Sequence, residues 1–272
     1  MVPIIKKIVP SSKYGIKCPF DMVPSRIVVH NTENDASARN EISYMTNNDN
    51  EISFHYAVDD NEIVQGIEEF RNAWHAGDGN GVGNREGIAI EICYSLSGGE
   101  RFDKAEDNAT YLIADILKRY GWGIDKVTKH QDYSGKYCPH RTLDYGWERF
   151  INKVKSKLDA QEYELLVSVP IYMTAVDAKE GNNIVGYYDK GKYYVFKISD
   201  DMINITKDIG VAGGWINPLD NKIEDIKKDD YHDDTDDIKE EDSYYDKIEK
   251  NNPLLYIFNW IYNFFKKLFK KE

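Results

Sequence analysis

Cysteine is scarce in this chain, and Cys18, Cys93 and Cys138 form an odd, widely spaced set in 272 residues. No disulfide framework is implied. Positive charge is also in deficit, with 35 Lys and Arg against 47 Asp and Glu, a net of -12. Phosphate binding relies on clustered cations, so nucleic acid is excluded as the main partner. Long apolar runs are missing too. No stretch reaches the length of a membrane-spanning helix without polar interruption. Met1 to Pro10 carries two lysines but too short an apolar run for a secretory signal. The expectation is a product made in the cytoplasm without a signal peptide and held there at first. Hydrophobic content of 41% is still enough for real cores, and the length suits one large or two modest domains plus tails.

What is present changes character along the chain. Residues 1–158 alternate strand-like runs (27–30, 54–59, 88–94, 127–130) with helix-like ones (36–46, 104–120, 147–158). In the longest helix Ala105, Ala109, Leu112, Ile113, Ile116 and Leu117 share one face, and Gly121 follows as a stop. The alternation predicts an α/β domain, a sheet covered by helices. Residues 163–218 instead hold five short strand-like runs (165–173, 183–188, 193–198, 202–206, 214–217) broken by Gly and Asp, the pattern of a small all-β barrel. An acidic linker is expected over 219–251, with 14 acids against 6 lysines between Asp220 and Lys250. Over 252–272 the apolar Leu254, Ile257, Phe258, Ile261, Phe264, Phe265 and Leu268 recur at helical spacing, with Lys266, Lys267, Lys270 and Lys271 at the far end. That is an amphipathic basic helix suited to an anionic membrane interface, or to docking or self-pairing.

Three residues carry the chemistry. His30 closes the apolar strand Arg26-Ile27-Val28-Val29-His30-Asn31-Thr32. His130 and Cys138 lie eight residues apart, with Lys136 between them and Pro139 stiffening the exit. A lone histidine at a strand end is more often structural, and His30 stands out only because the second cluster complements it. Two imidazoles and one thiolate are the make-up of a catalytic zinc site, three protein ligands with the fourth position left for water. Such an ion keeps a net single positive charge, enough to polarise a carbonyl and lower the pKa of bound water. The residues alone point to a metal-assisted hydrolase. Cys93, inside an apolar run, reads as a small buried hydrophobe, and Cys18 has no assignment.

Five segments then occur together in order: Ile27-Val28-Val29-His30-Asn31-Thr32, Ser53-Phe54-His55-Tyr56-Ala57-Val58-Asp59-Asp60, Ala73-Trp74-His75-Ala76-Gly77, Ile88-Ala89-Ile90-Glu91-Ile92 and the loop from His130 to Cys138. Over about residues 20–157 the chain resembles the zinc-dependent N-acetylmuramoyl-L-alanine amidases, the type 2 amidase family that includes phage lysins and peptidoglycan recognition proteins. The resemblance implies a central mixed sheet flanked by helices, Zn2+ on His30, His130 and Cys138, and hydrolysis of the amide joining N-acetylmuramic acid to L-alanine in peptidoglycan. It implies Lys136 as the cation at the oxyanion, where without the flanking ligands a surface lysine before a turn would be the preferred reading. It implies Glu91 as the acid–base group, against a polar strand position that merely faces solvent. Asn31, Thr32, Phe54, Trp74 and His75 would meet substrate. Phe54 departs from members with tyrosine there, because phenylalanine can neither donate a hydrogen bond nor transfer a proton. His55 is expected to pack or hydrogen-bond behind the site, His140 to have a surface or supporting role, and His232 none.

The segments Val169-Pro170-Ile171-Tyr172, Lys190-Gly191-Lys192-Tyr193-Tyr194, Ile203-Asn204-Ile205-Thr206 and Gly214-Trp215-Ile216-Asn217-Pro218 resemble a bacterial SH3-type module. Such modules bind cell wall in lysins. Tyr172, Tyr187 and Trp215 would stack on sugar or peptide, or else pack the core; both stay open. The combined expectation is a phage or prophage endolysin that reaches the wall once a holin-type partner permeabilises the membrane. A bacterial autolysin, a non-catalytic peptidoglycan-binding protein, and a membrane-active tail delivered by wall-binding parts are the alternatives.

Overall fold

The structure, a computed structural model, describes residues 2–222. From Ile4 to Leu158 the elements run β1 (Ile4–Lys6), α1 (Tyr14–Lys17), β2 (Arg26–Asn31), α2 (Ala38–Asn47), β3 (Tyr56–Val58), β4 (Ile63–Gln65), α3 (Val82–Glu86) and β5 (Gly87–Ile92). They continue with α4 (Gly99–Tyr120), β6 (Val127–Lys129), α5 (Gln131–Ser134), α6 (His140–Asp144) and α7 (Trp147–Leu158). One six-stranded sheet has the order β1-β4-β3-β5-β2-β6, and only the β3–β4 pair is antiparallel. This is the sheet with helices that the alternation predicts, and it is mixed as the resemblance implies.

Near-continuous apolar runs mark the central strands, as parallel strands buried on both faces require. Ile27, Val28 and Val29 of β2 and Ile88, Ala89, Ile90 and Ile92 of β5 have no exposed surface. Leu112, Ile113, Ile116 and Leu117 of α4 are equally buried, each contributing about 1.5–3 kcal/mol by leaving water. Gly121 stops α4 in the left-handed region (φ +66°), where Trp122 N–H donates to the Leu117 carbonyl (2.8 Å). At the start of α2 the Ser37 side chain accepts from Asn40 N–H (3.3 Å). The expected strand 54–59 shortens to β3, leaving Phe54 outside it, and α4 begins five residues earlier than its apolar spacing announces. Strands β1 and β4, three residues each, are too short for a periodic signal.

The second region contains β7 (Glu162–Leu165), β8 (Val169–Ile171), α8 (Ala175–Glu180), β9 (Gly186–Tyr188), β10 (Gly191–Ser199), β11 (Met202–Thr206) and β12 (Gly214–Ile216). An antiparallel sheet β12-β11-β10-β7 lies beside the β8–β9 pair, around a small core of Leu165, Val169, Tyr193, Ile203, Ile205 and Ile216. The strand expected at 165–173 is two strands, and α8 falls in an expected gap, capped by Thr174 and closed by Gly181. The turn after β11 reaches back to the first region. Lys157 Nζ donates to the Ile209 carbonyl (3.1 Å) and Ile209 N–H donates to the Tyr111 hydroxyl (3.2 Å). From 223 onward, the acidic linker expected over 219–251 and the amphipathic helix over 252–272 lie outside the described residues. Among the described residues no helix is long and apolar enough to cross a membrane.

Candidate metal centre

Strand pairing builds the site. In the parallel β2–β5 register His30 stands beside Glu91, and β6, on the other side of β2, delivers His130 one residue past its end. His130 N–H donates to the Val29 carbonyl (3.2 Å), and Gln131 N–H donates to the Cys138 carbonyl (3.0 Å), folding the loop so that the cysteine returns. Nδ1 of His30 lies 3.1 Å from Nδ1 of His130 and 3.9 Å from Sγ of Cys138. One donor atom from each of the three residues falls within 4.8 Å of the others. Glu91 Oε1 is 3.9 Å from His30 Nδ1, and Oε2 is buried without a hydrogen-bond partner among the described residues.

Burial sets the electrostatics. It drives the His30 imidazole well below its usual range, and His75, His130 and Lys136 add to that. It pushes the Cys138 thiol up to about 12, with Glu91 adding repulsion. Burial likewise raises the Glu91 carboxyl to about 8, helped by Glu41 and opposed by Lys136. Burial works against the Lys136 charge, yet the hydrogen bond to Glu33 at 3.2 Å raises its pKa overall. Lys136 and Glu33 are both about half exposed, and they form the rim of the site.

Three residues expected at substrate are buried. Asn31 is buried, and its side-chain oxygen accepts from Arg141 N–H (3.0 Å) and Thr142 N–H (3.2 Å), tying the start of α6 to β2. Phe54 is a core residue, because the chain has not yet entered β3 and its ring turns inward. His75 is buried, with Nδ1 3.0 Å from His30 Nε2, on the side of that ring away from Cys138 and His130. Thr32 and Trp74 are half-buried; the Trp74 indole donates to the Ile16 carbonyl (3.1 Å) and meets Phe20 edge-on. His55 does sit behind the site, bonded to Ala89 N–H and the Arg71 carbonyl, both at 2.9 Å. His140 supports the rim through the Ser95 carbonyl (3.2 Å).

Sequence reasoning missed Glu33, Asp78 and Asn84. Asp78-Gly79-Asn80-Gly81 is a dense turn signal directly after Trp74-His75-Ala76-Gly77, and it marks a loop folding back on the histidine.

The model of the family described as N-acetylmuramoyl-L-alanine amidase matches residues 20–141, which include His30, Glu91, His130, Lys136 and Cys138. The amidase CwlH of Bacillus subtilis is 38% identical over 175 residues, 63% of this chain and 68% of that relative. This chain belongs to the N-acetylmuramoyl-L-alanine amidase family. The amidase CwlA of Bacillus subtilis is 56% identical over 161 residues, covering 59% of this chain and 58% of CwlA. The chain thus spans a little under three fifths of CwlA. The solved structure of PlyL is 57% identical with a TM-score of 0.56, covering 57% of this chain and 98% of PlyL. The amidase family's likeness therefore rests on the sheet and loops that carry the site.

Proposed function

We propose that this protein is a zinc-dependent peptidoglycan hydrolase that cleaves the amide between the lactyl group of N-acetylmuramic acid and L-alanine, acting on the bacterial wall as an endolysin. The observation that carries the reading is the meeting of His30, His130 and Cys138 beside a carboxylate, Glu91, whose Oε2 has no partner. The donor set fits the ion. Tetrahedral zinc holds two imidazole nitrogens about 3.3 Å apart and a nitrogen and a thiolate sulfur about 3.6 Å apart. The nitrogens here lie at 3.1 Å, His30 Nδ1 and the Cys138 sulfur at 3.9 Å, and all three donors within 4.8 Å of one another.

Zinc held by these three residues would polarise the scissile carbonyl and make water a better nucleophile near neutral pH. The chain's own groups do the rest. Glu91 takes the proton of the attacking water and returns it to the amide nitrogen as the C–N bond breaks, leaving a lactyl carboxylate and a free L-alanine amine. Burial raises this carboxyl, which favours its proton-donating half, and the positive charge of a zinc ion beside it would draw the pKa back down and favour the proton-accepting half. Lys136, half exposed on the rim, neutralises charge gathering on the carbonyl oxygen. Glu33 holds the ammonium at the rim through its 3.2 Å ion pair.

The amidase names of the relatives support this choice of bond. We propose that residues 1–158 form the catalytic domain and that residues 163–218 form an SH3-like wall-binding domain. The four-stranded antiparallel sheet and the exposed Tyr187 on the β8–β9 pair beside it support that division.

The test joins metal analysis with two variants. Purified protein should hold one zinc, and chelation should abolish wall lysis. Glu91→Gln should keep zinc and fold while turnover drops roughly 100-fold or more, and Lys136→Ala should fall comparably. Full activity in metal-free protein, or near-normal turnover in both variants with zinc retained, would remove the mechanism.

A further inference from the structure

A histidine binds a metal through an unprotonated nitrogen, so its other nitrogen carries the proton and needs an acceptor. For His30 the nitrogen turned to Cys138 and His130 is Nδ1, and the proton belongs on Nε2. Among the described residues, the one group within hydrogen-bond distance of Nε2 is Nδ1 of His75, at 3.0 Å. His75 must therefore accept there and carry its own proton on Nε2, which lies near the Gly87 backbone without a hydrogen bond of normal geometry. The outer nitrogen of His130 lies against the backbone of the next residue, Ala76. A Cβ added at Gly77 would sit 3.7 Å from that nitrogen. Two consecutive residues thus stand behind both imidazoles.

One side chain fixes those two residues. Asn84 Oδ1 accepts from His75 N–H and from Ala76 N–H, both at 2.7 Å. Asn84 is 3% exposed, and its amide nitrogen donates to the Gly79 carbonyl (3.0 Å). The Asp78 carboxylate in turn accepts from Gly83 N–H (2.7 Å) and Asn84 N–H (3.2 Å). Gly77 and Gly79, at φ +71° and +61°, let the loop close on itself. The arrangement is tight, since a side chain at Gly83 would lie 2.6 Å from the Ala76 methyl.

From this geometry we propose that His75 and Asn84 are positioning residues for the metal: His75 fixes the tautomer of His30, and Asn84 holds the 75–76 backbone that orients both imidazole ligands. The inference rests on the zinc reading above and names residues outside the His30, His130 and Cys138 set. Outer partners of this kind typically set metal affinity by 10–100-fold.

The test uses the full chain, stripped of metal and titrated with zinc in competition with a chromophoric chelator, alongside urea unfolding of each metal-free protein. His75→Leu, which fills space but cannot accept, should bind zinc 10–100-fold more weakly. His75→Asn, which keeps an acceptor near the Nδ1 position, should recover most of that loss at similar metal-free stability. Asn84→Ala should weaken zinc binding in the same range. Nitrogen-15 spectra of the native zinc-loaded protein should place the proton on Nε2 of both His30 and His130. Zinc affinity within twofold of native in His75→Leu and Asn84→Ala would overturn the proposal. So would His75→Asn binding as weakly as His75→Leu, or a proton on Nδ1 of His30, a result that needs no variant to fold. A native protein that binds no zinc would instead overturn the zinc reading itself.

Discussion

At the scale of single residues, burial decides which histidines stay neutral. His55 has no exposed surface; Ala89 N–H donates to its Nδ1 and its Nε2–H donates to the Arg71 carbonyl. That pairing fits only the uncharged ring, and burial lowers its pKa from 6.5 to about 4, against a small opposing pull from the Arg71 bond and Glu69. A group depressed on folding takes up protons more readily in the unfolded chain, so its contribution is present above pH 6.5 and is lost as pH falls towards 4. Acidification from pH 7 to 5 should cost about 2 kcal/mol through this residue. The check is urea unfolding at both pH values, with His55→Gln as the comparison. The variant should be less stable at pH 7 and show a smaller pH difference; an equal difference would exonerate His55. The grouping of His30, His130 and Cys138 was legible because ligand chemistry limits which residue types can be used. Asn84 was not, because an asparagine in a turn-rich stretch has no periodicity and its two backbone partners are set only by loop closure. The burial of Asn31, Phe54 and His75 was not legible for a related reason: a motif places residues near a site without saying which way their side chains turn.

At the scale of elements, strand order is what assembles the centre. His30 and Glu91 are 61 positions apart, and only the parallel register of β2 with β5 makes them neighbours. Long helices and buried strands were readable from apolar spacing, whereas β1, β4 and α8 are shorter than any period that could announce them. Helices α4 and α7 are joined by more than apolar contact. Glu106 is fully buried on α4 and accepts from Arg149 (2.7 Å) and Lys153 (3.3 Å), both on α7. Losing the carboxylate leaves two cations facing an apolar seam, and since each is about one third exposed the cost falls below that of a fully buried pair. Glu106→Ala should therefore destabilise by roughly 2–3 kcal/mol while zinc content stays unchanged. Chemical unfolding with metal analysis checks this, and a change below about 0.5 kcal/mol would show the ion pairs to be dispensable.

At the scale of the whole molecule, the second region separates two roles that its aromatics left open. Tyr172 is 3% exposed and packs with Ala178 and Met202, whereas Tyr187 is 64% exposed on β9. Tyr187→Ala in the full chain should reduce co-sedimentation with purified walls and leave stability within about 0.5 kcal/mol of native. Tyr172→Ala should do the reverse, losing about 3 kcal/mol or more of stability. Unchanged wall retention for Tyr187→Ala would move recognition away from this face. The account as a whole stands on which bond is cut. Purified peptidoglycan digested with the full chain and analysed by mass spectrometry should yield intact glycan strands and stem peptides with new free L-alanine amino termini. New sugar reducing ends, or peptides cleaved within the stem while still attached to N-acetylmuramic acid, would contradict it.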